Sequence, residues 1–259
     1  MPGEVLVQRD DPIATVTLSH PGRMNALTLD MWRAVATVFA ELSAADSVRC
    51  IVLRGQGDRA FAAGADIAEF ARERSTVEQA RQYGRAIQGA MDAVRTARHP
   101  TVALIQGVCV GGGLEIAAVC DMRICGASCR FGVPVKNLGL VMGLGELQGL
   151  IGLVGRAIAL EIVLEGRVFD ALEAKDKRLV NRVVPDESVV EEAYATARRI
   201  AEGAPLVARW HKKFAERLSD PRPWTEAEYD ESFACFGTAD FQTGYQAFLE
   251  KKKPEFKGR

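Results

Sequence analysis

The sequence has few histidines, almost no net charge and no long apolar run. Its 259 residues hold 33 Lys and Arg against 34 Asp and Glu, for a formal net charge of −1. No window reaches about 18 consecutive apolar residues, and the acidic N-terminus lacks the basic-then-apolar order of a signal peptide. We therefore expect neither a nucleic acid nor a membrane as partner, and a cytoplasmic location. The three histidines, which have no metal-ligand spacing, are His20, His99 and His211.

The sequence contains cysteines, but their spacing does not match a metal site or a redox motif. None of the six cysteines forms a C-x-x-C pair, and four lie in apolar or small-residue surroundings. This pattern favours buried thiols in a reducing compartment over disulfides or a metal site. The six are Cys50, Cys109, Cys120, Cys125, Cys129 and Cys235.

What the sequence does have is a glycine-rich segment with one acid, Ile105–Asp121 (IQGVCVGGGLEIAAVCD). It follows an apolar strand pattern, Thr101–Ile105, and opens a small-residue helical pattern that contains Glu115. A strand, a glycine turn and a helix start together aim free backbone N–H groups at an anionic oxygen. A second glycine-rich turn, Phe61–Asp66 (FAAGAD), could supply another donor if the two turns meet.

The remaining chain alternates strand and helix patterns to about residue 165 and is then mostly helical. Thr28 and the Ser75-x-x-Glu78 capping box predict helix starts, whereas Phe131–Gln148 is predicted to be mostly loop. Strand patterns cover residues 5–8, 13–18, 50–53, 101–105, 122–125 and 180–184.

The glycine run taken alone fits a purely structural turn. It lacks the GxGxxG spacing of a dinucleotide-binding loop and the Lys-Ser/Thr of a P-loop, which disfavours a nicotinamide-dependent dehydrogenase. The combination of segments is more specific. FAAGADIAEF (61–70) followed by GVCVGGGLEIAAVCDMRIC (107–125) resembles the enoyl-CoA hydratase/isomerase (crotonase) family. The resemblance continues through HPGRMNAL (20–27), FGVPVKNLGL (131–140), LVGRAIALEIVLEGRVFDALEA (153–174) and AFLEKKKPEFKG (247–258).

The resemblance implies an α/β fold, a crotonase-like spiral of repeated ββα units over residues 1–200, with a helical trimerisation region over 201–259. It also implies a homotrimer or a dimer of trimers, and an acyl-CoA thioester as substrate. No separate cofactor is expected, since coenzyme A is part of the substrate. The family's shared chemistry is stabilisation of a thioester enolate by two backbone N–H groups.

For catalysis, the resemblance places the two oxyanion donors on the N–H groups of Ala65 and Gly112 and the first catalytic glutamate on Glu115. The apolar neighbours of Glu115 predict that its carboxyl is buried and has a raised pKa. The second hydratase glutamate falls on Val135, which cannot transfer a proton. Gly143 matches the glycine whose N–H helps to hold the attacking water.

Glu146 stands where the family usually has glycine. Two interpretations remain open for this residue: a first-turn acid favoured by the helix dipole, or a pocket acid that substitutes for the missing glutamate. The acyl pocket is expected to be lined by Phe70, Met91, Val135, Leu140, Met142 and residues of the helix near Trp224 to Phe236.

For coenzyme A, the resemblance points to three parts of the chain. Backbone groups of the first loop would contact the nucleotide, with Arg23 either a phosphate or ribose partner or a plain surface arginine. The C-terminal residues would reach the phosphates or belong to a solvated tail. The candidates are Arg23, Asn25, Ala26 and Leu27, then Ala63, Asp66 and Ile67, then Phe248 and Lys251.

The expected activity is therefore reversible hydration of a trans-2-enoyl-CoA, with Glu115 activating water. The loss of the second glutamate at Val135 leaves three alternatives open. These are a single-base double-bond isomerase, an acyl-CoA decarboxylase, and a catalytically weak protein that binds coenzyme A.

Overall fold

A computed structural model describes residues 2–259 as two sheets wrapped by helices. The strands are β1 (Glu4–Asp10), β2 (Ile13–Ser19), β3 (Cys50–Gly55), β4 (Ala60–Ala62), β5 (Thr101–Ile105), β6 (Val108–Val110), β7 (Met122–Gly126), β8 (Arg130–Gly132), β9 (Phe169–Asp170) and β10 (Arg182–Val184). The helices are α1 (Leu29–Ala44), α2 (Phe70–Glu73), α3 (Val77–Arg95), α4 (Gly112–Ala118), α5 (Leu144–Val154), α6 (Arg156–Glu165), α7 (Ala171–Asp176), α8 (Val189–Ala201), α9 (Pro205–Arg217), α10 (Glu226–Glu231) and α11 (Ala239–Leu249).

The two sheets grow side by side as the chain advances. The larger sheet has the order β1-β2-β3-β5-β7-β10 and is parallel except for the β1–β2 hairpin. The smaller sheet has the order β4-β6-β8-β9, and only its last pair is antiparallel. Each turn adds one strand to each sheet and then a helical segment: β3-β4-α2-α3, β5-β6-α4 and β7-β8-α5. This is the expected spiral of ββα units.

The strand patterns of the larger sheet are confirmed, but the smaller sheet was not predicted. Phe61 and Ala62, assigned to a turn, belong to β4, and the start of the predicted loop Phe131–Gln148 belongs to β8. Strands of two or three residues are too short to show a period of two, so only pairing with their neighbours reveals them. The smaller sheet fixes where the two glycine-rich turns end up.

The predicted capping box at the start of α3 is displaced by one residue. Thr76, rather than Ser75, is the N-cap and accepts from the Gln79 N–H, while the Gln79 side chain accepts from the Thr76 N–H. The Thr225 capping box at α10 is present as expected.

Two apolar layers hold this arrangement. The larger one lies between the sheets and α1, α3 and α4, and includes the fully buried Trp32, Phe39, Phe61 and Phe131. On the other face of the larger sheet, α8 contributes Val189 to a second layer. Five of the six cysteines are buried and all six are free thiols, as the pattern indicated. Within the described residues, each helix is too short or too polar to cross a bilayer.

Residues 205–249 carry the three helices α9 to α11, which agrees with the helical C-terminal region. Large apolar side chains of this region are exposed in the single chain, among them Trp224, Phe236 and Phe248. The boundary at residue 200 and the role of this region in trimer formation stay predictions.

Candidate functional site

The glycine-rich turn after β6 has a backbone that only glycine adopts readily. Gly111 is the N-cap of α4 with φ +50° and ψ −126°, a conformation strained for any side chain. Gly112 is the first residue of α4, so its N–H has no acceptor within the helix. The turn therefore presents a backbone donor at the carboxyl end of β6.

The second turn lies directly against the first. A Cβ atom built on Gly64, whose φ is +96°, would lie 3.7 Å from the Gly112 nitrogen and 3.4 Å from the Val110 oxygen. A Cβ on Gly113 would collide with the Ala62 carbonyl oxygen. The two turns thus meet backbone to backbone, an approach that requires glycine at these positions.

Ala65 is held by a bridge to the loop that precedes α1. The Leu27 N–H donates to the Gly64 oxygen at 2.7 Å, and the Asp66 N–H donates to the Leu27 oxygen at 2.9 Å. These two bonds clamp the residues on either side of Ala65 and do not use its own N–H. Ala65 and Gly112 line the same cavity.

This cavity, of about 130 Å³, is mostly apolar. Its charged lining residues are Arg74, Glu115 and Glu146. Of the expected pocket residues, Met91 and the segment from Trp224 to Phe236 do not line it, whereas four others do: Phe70, Val135, Leu140 and Met142. The remaining lining residues include Trp32, Ile67, Ile87, Leu138 and Val141.

Glu115 is a buried acid in the first turn of α4, with 7% of its surface exposed. Burial, and secondarily the negative charge of Glu146, raise the pKa of the Glu115 carboxyl to about 8, against a weaker opposing effect of Arg74. The predicted burial and raised pKa are confirmed. Glu115 therefore holds a proton through the neutral range.

Glu146 is both a first-turn acid of α5 and a residue of the cavity wall. It is the third residue of α5, and its carboxylate lies against Gly143, the N-cap, whose N–H favours the charged form. It also lines the cavity with Glu115. Burial raises the pKa of the Glu146 carboxyl, while the Gly143 N–H and Arg74 favour its charged form. The site thus contains two carboxyl groups, although Val135 is not one of them.

Arg74 is the site residue that sequence reasoning missed. It follows α2 directly and lies 4.7 Å from the ring centroids of both Phe70 and Tyr83. Two other arginines and three glutamates occur within residues 69–81, so nothing in the local pattern distinguishes Arg74 from a surface charge. Only the packing of α2 beside α3 brings it to the cavity.

The loop expected to bind coenzyme A is rigidly attached to the site. The side chain of Asn25 is buried. It accepts a hydrogen bond from the His20 N–H and donates to the backbone oxygens of Gln56 and Ala60, so it is engaged within the protein. Arg23 is 55% exposed and lies 3.4 Å from the Asp66 carboxylate. The Ala63 N–H donates to the Met24 oxygen at 3.0 Å.

The other candidates divide into those near the cavity and those elsewhere. Ala26 and Leu27 are buried and Ile67 is exposed at the cavity rim. Phe248 and Lys251 do not line this cavity, which is formed by described residues of a single chain. The segment after α11 packs instead at the start of β2 and β3, where the Phe256 oxygen accepts from Arg49 at 2.6 Å.

The raised pKa of Glu115 predicts a stability that declines with pH. Because the folded protein keeps this proton to about pH 8 and the unfolded chain loses it near 4.5, the contribution of Glu115 to the free energy of unfolding is largest below pH 4.5 and falls up to pH 8. A tenfold difference in proton affinity between the folded and unfolded states corresponds to about 1.4 kcal/mol. Urea unfolding of the wild type and Glu115→Gln at pH 5 and pH 8 measures the difference. The free energy of unfolding of Glu115→Gln should fall less between these two pH values than that of the wild type. Equal falls would contradict a raised pKa for Glu115.

Comparison with known proteins extends along the whole chain. The family described as enoyl-CoA hydratase/isomerase matches residues 8–259. A probable enoyl-CoA hydratase of Mycobacterium bovis is 35% identical over 257 residues, covering 98% of both proteins. A crotonyl-CoA hydratase of Syntrophomonas wolfei is 33% identical, covering 97% of both. A crystal structure described as an enoyl-CoA hydratase/carnithine racemase, from Magnetospirillum magneticum, superposes with a TM-score of 0.97 at 49% identity, covering 98% of this chain and 96% of that one.

Proposed function

Because this chain belongs to the enoyl-CoA hydratase/isomerase family, we propose that it catalyses the reversible addition of water to a trans-2-enoyl-CoA. The observation that carries the proposal is the second carboxyl group in the cavity. Val135 removes the glutamate expected from the resemblance, but Glu146 faces the same space as Glu115 from the start of α5. Hydration needs a base for the water and an acid for Cα, and this pair supplies both.

The N–H groups of Ala65 and Gly112 stabilise the thioester oxygen as it becomes negative. They belong to turns in direct backbone contact, so their positions are fixed before substrate binds. The surrounding apolar side chains exclude water and strengthen these hydrogen bonds.

The environments of the two carboxyl groups assign their roles. Burial raises the pKa of both carboxyl groups, but only Glu146 has the Gly143 N–H to favour its charged form, so in this proposal Glu146 accepts a proton from water as the hydroxyl adds to Cβ. Glu115, which keeps its proton to about pH 8, donates it to Cα. Transfer between the two then restores the starting state. This order reverses the sequence-based expectation that Glu115 activates the water.

Coenzyme A would lie along the loop of residues 23–27 and the segment 63–67, with Arg23 and Asp66 at the nucleotide. We also propose a homotrimer or dimer of trimers, because the exposed apolar side chains of the C-terminal region need a covering surface. Phe248 and Lys251, remote from the cavity of their own chain, would act in such an assembly.

Three substrates test the proposed activity. The purified protein should hydrate crotonyl-CoA, observed as loss of absorbance of the conjugated thioester. Turnover of a 3-enoyl-CoA without hydration of crotonyl-CoA would establish an isomerase instead, and carbon dioxide release from a malonyl-type CoA would establish a decarboxylase. Binding of coenzyme A without any turnover would leave a binding protein.

Substituting Gly112 by alanine is expected to lower kcat/KM for hydration by about 10²-fold to 10³-fold, as for loss of an oxyanion donor. The variant keeps the N–H, but its Cβ would lie 2.9 Å from Cζ2 of the fully buried Trp32 and displace the start of α4. Steady-state kinetics should also show partial recovery in the double variant with Trp32→Phe, which removes the crowding ring. Full activity of Gly112→Ala would contradict the prediction that crowding against Trp32 displaces the start of α4 and its N–H from the thioester oxygen.

A further inference from the structure

Arg74 is a cation without an ion-pair partner in a mostly apolar cavity. Among residues 2–259, no carboxylate oxygen lies within 4 Å of its guanidinium, and its side chain donates no hydrogen bond to a described residue. Nearby Arg72, by contrast, pairs with Glu73 at 2.7 Å and with Glu69 at 3.4 Å. A buried or half-buried arginine is costly unless an anion satisfies it.

Two aromatic rings hold the Arg74 guanidinium in place. It lies 4.7 Å from the ring centroids of Phe70 and of Tyr83. Tyr83 is fully buried on α3, and its hydroxyl donates to the Leu27 oxygen at 3.4 Å, so this ring does not move freely. Both rings lie within cation–π distance of the guanidinium, and its N–H groups remain available to a planar bidentate acceptor.

The site's own carboxyl groups do not take this position. Glu115 and Glu146 both lie beyond ion-pair distance from Arg74 and line the cavity from α4 and α5. The charge of Arg74 acts on both acids without pairing with either, and Ile67 and Phe70 line the cavity beside the arginine. The guanidinium is therefore left to pair with an anion that enters the cavity.

We propose that the acyl group of this enzyme's substrate ends in a carboxylate, which Arg74 binds through a bidentate pair of hydrogen bonds. The substrate class is then the mono-CoA thioester of a dicarboxylic acid. This inference rests on the proposed function only in taking an acyl-CoA as the ligand. Arg74 acts as a specificity-determining residue and takes no part in proton transfer.

Calorimetry with two saturated, unreactive thioesters tests the inference. Glutaryl-CoA carries the carboxylate, and 5-methylhexanoyl-CoA places two methyl groups where the carboxylate oxygens would lie. The wild type should bind glutaryl-CoA at least about 10-fold more tightly than the neutral isostere, as expected for a charged hydrogen-bonded pair. Equal affinities, or tighter binding of the neutral thioester, would overturn the inference.

Variants separate recognition from a purely electrostatic effect on Glu115 and Glu146. Arg74→Met should lose the preference for glutaryl-CoA, Arg74→Lys should keep part of it, and Arg81→Met on the exposed face of α3 should keep all of it. Equal weakening of both thioesters in Arg74→Met, with the preference intact, would overturn the inference. Because neither ligand reacts, failure to hydrate enoyl-CoA leaves this result intact. If the wild type binds neither thioester, this inference fails, whereas the hydratase proposal is decided separately by turnover of crotonyl-CoA.

Discussion

Replacing Glu115 by glutamine is expected to lower kcat/KM for enoyl-CoA hydration by about 10²-fold to 10⁴-fold, the range for loss of a general acid or base. The substitution preserves volume in a site that is 7% exposed, and removes the proton that would reach Cα. Steady-state kinetics with crotonyl-CoA measures the effect. Glu41→Gln, on the exposed face of α1, is the matched control and should retain wild-type rates.

The pH profile distinguishes an acid from a base at this position. If Glu115 must be protonated, kcat/KM of the wild type falls as pH rises through about 8. Residual activity of Glu115→Gln should lack that alkaline limb. Wild-type activity that instead increases through this range would assign Glu115 as the base, and unchanged rates in the variant would remove it from the mechanism.

Replacing Glu146 by glutamine should lower kcat/KM for hydration by a similar factor, about 10²-fold to 10⁴-fold. Glutamine still caps a helix at this position, so α5 begins as before and the loss reports the missing carboxylate. Introducing Val135→Glu into this variant should raise its kcat/KM at least about tenfold. Val135 lines the same cavity, so a carboxylate at this position can again transfer the proton. Val135→Gln in the same background has the same size without the charge and should restore nothing.

These kinetics decide whether Glu146 performs the proton transfer that the resemblance assigns to a glutamate at position 135. Wild-type activity in Glu146→Gln would leave Glu146 only its capping role and would favour single-base chemistry with Glu115. Loss without recovery by Val135→Glu would mean that position 135 points away from the reacting atoms. The single and double variants are compared at one pH, since the charge of Glu146 contributes to the raised pKa of Glu115.

The sequence alone determined the features that depend on neighbouring residues. The strands of the larger sheet are visible as runs of buried apolar residues, such as residues 50–53, and the burial of Glu115 follows from its apolar neighbours in α4. Glycine at 64 and 111 is required by local backbone conformation. The family resemblance added the spiral fold and paired the two turns, which no local pattern could have done.

Tertiary structure decided which distant groups share one cavity. The strands of the smaller sheet are too short to carry a period, yet their pairing sets Gly64 against Gly112. Glu146 and Arg74 resemble ordinary helix-end charges in the sequence, and they become site residues only because α5 and α2 pack beside α4 and α3. Phe248 and Lys251, which the sequence offered as candidates for binding coenzyme A, lie outside the cavity of their own chain. Local patterns specify backbone and burial, whereas the meeting of side chains from separate elements depends on how those elements pack.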